Sequence, residues 1–219
     1  MLQALAQTLE LPLREHNRML LAAGHAPRYA ERPLSSAALA GVQAALQRLL
    51  DAHHPYPGFV LDRQWNVVQA NAAGQRLAGL LPAALTQSGL NVFRVGLHPH
   101  GLAAHTANFA EWGRYLLQQL RTLVRSSADA GLAALEAEVL AYPNVQALGE
   151  LPAEAASASA VPTLLVPCVL DLPGGRISMF STLTTFGTPR DVTLDELCVE
   201  LFYPLDRDSE QRLRALGGD

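Results

Sequence analysis

Hydrophobic and polar positions follow different periods along the chain. These periods divide it into a helical front, a mixed middle and a β-rich final third. Leu39, Val42, Leu46, Leu49 and Leu50 recur at helical spacing and predict a helix from about residue 36 to residue 53. Two shorter helices are expected ahead of it, over 2–10 and 13–23, separated at Leu11-Pro12 and stopped by Gly24. After His53-His54-Pro55-Tyr56-Pro57 the period changes. Phe59-Val-Leu-Asp-Arg-Gln-Trp-Asn-Val-Val-Gln-Ala reads as two short strands about a tight turn at Asp62–Gln64. Asn71 then opens a helix to Leu80, because an Asn side chain accepts a hydrogen bond from an orphan backbone N–H of the first turn.

Residues 82–90 read as loop, and Asn91-Val-Phe-Arg-Val-Gly-Leu97 is too short and too apolar to tell strand from helix. The best amphipathic helix lies over 108–125. Phe109, Trp112, Leu116, Leu120 and Leu123 fall within about 80° of arc at roughly 100° per residue, with Arg114, Gln118, Arg121 and Arg125 opposite. A further helix over about 131–141 stops before Pro143, and the Ala/Ser-rich stretch Glu150 to Ala160 reads as a loop. Thr163–Asp171 and Arg176–Phe186 flank Leu-Pro-Gly-Gly as a hairpin, with Pro167 demoting the first strand to an edge or bulge. A third strand, about 196–203, alternates Leu197, Val199 and Leu201 against Cys198, Glu200 and Phe202, and residues 206–215 form a terminal helix. The sum is an α+β fold: an antiparallel sheet with flanking helices, preceded by a short all-α segment.

Composition narrows the function. Nearly half of the 219 residues are hydrophobic, enough for a large core. A net charge of −4 offers nucleic acid no global attraction. Cys168 and Cys198 make neither a disulfide framework nor a metal set. No stretch has the length and apolarity of a membrane span or a secretory leader, so a cytoplasmic protein without membrane contact is expected. His98, His100 and His105 lack a completing acid or thiol, so no metal is expected. There is no nucleophile elbow, phosphate loop, dinucleotide fingerprint or zinc-protease motif, and an enzyme is not expected.

The order strand, turn, strand, Asn-capped helix resembles the opening of a PAS-type sensor. Gly58-Phe-Val-Leu-Asp, Trp65-Asn, Asn71-Ala-Ala, Asn91-Val-Phe-Arg, Trp112 with Leu120-Arg121, Phe186-Gly-Thr-Pro-Arg-Asp-Val-Thr-Leu-Asp-Glu-Leu and Glu200-Leu-Phe-Tyr-Pro follow one another in an order similar to the ligand-binding domain of the MmyB-like bacterial transcription regulators. The resemblance implies a PAS-like ligand-binding domain over 57–219 and a connecting helix over 31–56. Residues 1–30 resemble only the tail of an XRE-type helix-turn-helix domain, whose DNA-reading helix would lie ahead of Met1. It also implies a buried amphipathic ligand, a fatty acid being the best-known class; no other cofactor is expected, and the helix over 36–53 is a candidate dimer helix, so a homodimer is expected. Where the family carries an acid after its tryptophan, this chain has Gly113.

Each candidate contact has two readings. Arg94, inside an apolar run, suits a ligand carboxylate, or else a protein acid. Asn91 offers an amide to the same carboxylate, or caps a turn. Trp65, Trp112 and Leu116 offer walls to an acyl chain, or ordinary core. Phe180 and Phe186 supply the sheet side of a pocket, or pack on helices. The competing function is a dimerisation or protein-interaction module whose core is filled by its own side chains.

Overall fold

The computed structural model describes residues 1–87, 89–149 and 165–218. The front of the chain forms α1 (Leu2–Thr8), α2 (Leu13–Ala22) and, through a 3-10 turn at Ala37–Leu39, α3 (Ala40–Ala52). Gly24 stands at φ 77° just past α2, the left-handed position that a helix stop of this kind requires. β1 (Gly58–Leu61) and β2 (Val67–Ala70) pair about a turn that Asp62 closes, its Oδ1 accepting from the N–H groups of Gln64 and Asn66. α4 (Ala72–Ala78) follows its Asn cap. The stretch expected as loop contains one helical turn, α5 (Ala83–Thr86), too short to show a period. The ambiguous run is helical: α6 (Val92–Leu97), capped by Asn91.

α7 (Phe109–Ser127) and α8 (Ala130–Leu140) are the two expected helices, followed by a single turn, α9 (Pro143–Gln146). β3 (Cys168–Leu172) starts directly after Pro167 and forms a hairpin with β4 (Gly175–Thr185). Part of the first expected strand and all of the loop over 150–160 lie outside the described residues. α10 (Val192–Asp195), capped by Asp191, links β4 to β5 (Cys198–Pro204), and α11 (Arg207–Gly217) ends the chain.

The strands form one antiparallel sheet in the order β2-β1-β5-β4-β3, so the expected α+β class and PAS-like antiparallel sheet are present. Both of its faces are covered. On the front, Phe59, Leu61, Leu170 and Met179 join the core built from α4, α6, α7 and α8. On the back, Val60, Leu197 and Val199 pack against Leu46 and Leu50 of α3. The front of the chain is also tied to α10 by polar groups. Arg14 pairs with both Glu31 and Glu196, Arg32 pairs with Asp191 at 2.9 Å, and Asp195 accepts from the Leu13 N–H at 2.8 Å.

Asn71 joins three elements. It is 2 % exposed. Its side-chain carbonyl accepts from the N–H groups of Gly58 (3.1 Å) and Gly74 (2.8 Å), and its amide donates to the carbonyls of Leu50 (3.1 Å) and Tyr56 (2.8 Å). One side chain therefore caps α4, fixes the start of β1 and holds the end of α3. Asn71→Ala removes a cap and leaves several buried groups without partners, so it is expected to lower stability by about 2–4 kcal/mol in urea unfolding. A loss no larger than that of a single cap, under about 2 kcal/mol, would show that the junction is not shared in this way.

Candidate functional site

The front face of the sheet curls around a cavity closed by α4, α6 and α7. Phe59, Met179 and Phe202 form its floor, and Leu77, Val95, Trp112 and Leu116 its roof. Ala78, Leu81 and Leu90, each partly exposed, form a rim between α4 and α6. The space open to the centre of a water-sized sphere is about 60 Å³, room for a few heavy atoms since one water needs about 10–15 Å³ on this measure. Gly96 lets α6 approach α7 closely, because a Cβ there would stand 2.8 Å from Leu116 Cδ1.

Of the residues singled out by sequence, Trp112 and Leu116 line this cavity. The structure places the others elsewhere. Asn91 is spent on local structure: it accepts from the Arg94 N–H (3.1 Å) and donates to Gln64 O (2.7 Å) and Asn66 Oδ1 (3.0 Å). Arg94 reaches α8, where Nε and Nη2 each meet a Glu138 oxygen at 2.7 Å, while the Tyr142 hydroxyl donates to the same carboxylate at 2.6 Å. The Arg94 guanidinium holds the Glu138 carboxyl below the usual range, and Glu138 in turn raises Arg94. A ligand carboxylate would have to displace Glu138 to reach it. Trp65, at φ 64°, packs its ring 4.8 Å from that of Phe93, tilted by 34°, and is not among the residues lining the cavity.

The phenylalanines of the β4 segment are set apart by strand alternation. Ile177 and Met179 point into the core, so Phe180 faces the back and stacks on Tyr203 at 5.3 Å. Phe186 lies beyond the strand and is 37 % exposed. Arg121, opposite Trp112 on α7, meets Glu136 at 3.4 Å.

Sequence reasoning missed Glu200. It sits on the front face of β5, paired across to Phe59 of β1 and Leu183 of β4, and it lines the cavity at 5 % exposure. The signal was its alternation with Cys198 and Phe202 on a strand whose other face is aliphatic: in a central strand covered on both sides, the polar member has nowhere to go but inward. Ser181 hydrogen-bonds the carboxyl, and Oε2 has no hydrogen-bond partner. Burial raises the carboxyl to about 7, with the Ser181 contact opposing. Burial, followed by the nearby Glu200 charge, also raises the Tyr115 phenol and pushes the Cys168 thiol up to about 12.

This has a consequence for stability. Between the ordinary carboxyl value and about 7, folded Glu200 keeps a proton that the unfolded chain releases. Stability therefore falls as pH rises through that window, and above it Glu200 contributes no further change. Glu200→Gln is expected to remove this slope. In urea unfolding, the variant should gain on the wild type by an amount on the order of 2 kcal/mol between pH 5 and pH 8. Parallel pH profiles for the two proteins would show that Glu200 is not held in this way.

Among the described residues, no helix is long and apolar enough to cross a membrane, and no three His, Cys, Asp or Glu residues are grouped to hold a metal ion. No curated protein matches the chain. The family model for the MmyB-like transcription regulator ligand binding domain matches residues 42–216. That span takes in most of α3, the whole sheet and every side chain of the cavity. With four-fifths of its length inside that match, the chain belongs to the MmyB-like transcription regulators and carries their ligand binding domain.

Proposed function

We propose that this domain senses a small amphipathic molecule, fatty-acid-like in having an alkyl chain and one polar end, and that it regulates transcription without catalysing a reaction. The observation that carries the reading is the cavity itself, apolar on nearly all sides and placed between the sheet and the helices that a ligand could move. Its floor strand connects it to the rest of the chain. Glu200 and Phe202 face the cavity from β5, while Val199 faces α3 on the back. A ligand that shifts β5 therefore acts on α3 through the thickness of one sheet. It changes the regulator only to the extent that its affinity differs between the two arrangements. DNA would be read through a helix-turn-helix region, and a homodimer would present two such regions to a palindromic operator in the cytoplasm.

At about 60 Å³ the cavity is smaller than the several hundred Å³ of most ligand pockets. That observation favours the second reading, an interaction or dimerisation module with its core nearly filled. The two readings separate experimentally. On the sensor reading, native mass spectrometry of freshly purified protein shows a bound amphiphile, or a one-to-one adduct after incubation with an alkyl-chain panel. Ala78→Leu, which projects a larger side chain from α4 into the rim, is then expected to weaken that binding by roughly tenfold at little cost in stability. A clean apo mass that no member of the panel shifts would favour the interaction module.

A further inference from the structure

Chain burial alone leaves little affinity here. A cavity of about 60 Å³ buries only a short stretch of alkyl chain, and that gain is offset by the cost of association. The polar end of the ligand therefore decides whether it binds, and the structure bears on what that end is. Glu200 is the only charged side chain among the described residues that line the cavity. It is more than nine-tenths buried, and its Oε2 has no partner. Native proteins rarely leave such an oxygen unsatisfied.

We infer that the free oxygen of Glu200 receives the polar end of the ligand, and that this end is a hydrogen-bond donor, a hydroxyl or a protonated amine, rather than a carboxylate. The inference rests on the sensor reading above. Among the described residues no cation competes for Glu200 from the elements around it: α7 brings Tyr115, β3 Cys168, β4 Ser181, β1 Phe59, and β5 itself Cys198. Arg94, the guanidinium suited to a carboxylate, is closed by Glu138 and Tyr142. A donor arriving at Oε2 satisfies a buried acceptor. A carboxylate arriving there places two like charges in a medium of low dielectric, and one of them must take up a proton. The signs of the pH dependence follow. Binding of an amine strengthens from pH 6 to pH 8 because it favours ionised Glu200; binding of a carboxylate weakens over the same interval; an alcohol changes little.

Calorimetric titration of the whole chain with octylamine, 1-octanol and octanoate, at pH 6 and pH 8, tests this. At pH 8 the amine and the alcohol are expected to bind one-to-one and at least roughly tenfold tighter than octanoate. In Glu200→Gln at pH 8 the amine should lose its advantage and octanoate should gain, because the new amide donates where the ionised carboxylate only accepts. A merely structural role for Glu200 would not exchange the two preferences. Octanoate binding as tightly as octylamine at pH 8, or a ranking that Glu200→Gln leaves in place, overturns the inference while the sensor reading stands. If none of the three binds, both fall. Should the variant fail to fold, the wild-type ranking and the signs of its pH dependence decide alone.

Discussion

A single sheet covered on both faces means that successive side chains of β5 serve two separate interiors. Val199 belongs to the layer shared with α3, and Glu200, its immediate neighbour, belongs to the cavity. Because side chains alternate strictly along a strand, neither layer can be reset without moving the other. The hydrogen-bonded neighbours β1 and β4 fix the register on each side: Phe59 and Leu183 stand opposite Glu200, and Val60 and Thr184 stand opposite Val199. A one-residue slip would bring Glu200 out against α3 and push Val199 into the cavity. The burial of one carboxyl is thus set by strand pairing rather than by any attraction to its surroundings, which explains why it costs the fold stability and yet persists.

Much of the architecture was legible because local and global signals agree. Asn71 caps α4 in the structure as its chemistry predicts, and it also gathers two carbonyls from elsewhere in the chain, which no local pattern reveals. The apolar stripe of α7 faces the core, and Pro167 precedes an edge strand. The ambiguous run at 91–97 is helical, with Asn91 supplying the cap and making one isolated bridge to Asn66. α5 was invisible because four residues carry no period.

The site was less legible than the fold, and for a definite reason: a pocket is made by residues from distant elements, and their pairing is a tertiary fact. Arg94 looked anomalous in an apolar run, but its partner Glu138 lies 44 positions later on α8. Phe180 looked like a pocket wall until the register of β4 turned it to the back, beside Tyr203. Glu200 looked like the polar half of an alternating strand, which in a sheet wet on one face would mean solvent. Only the packing of α4, α6 and α7 over that face reverses its meaning.

The attachment of the front of the chain to α10 is of a different physical kind from anything around the cavity. Beside one backbone bond, from the Val192 N–H to the Ala30 carbonyl, it is made of Arg14 with Glu31 and Glu196, Arg32 with Asp191, and a carboxylate of α10 on the backbone at Leu13, several of these groups reaching solvent. Such contacts weaken as mobile ions accumulate, with a screening length of about 8 Å at physiological ionic strength. Apolar contacts do not weaken in this way, and salts excluded from protein surfaces strengthen them. Rising ionic strength therefore weakens the ion-pair part of the joint between residues 1–32 and α10, while the apolar packing of α3 on the sheet has no such dependence.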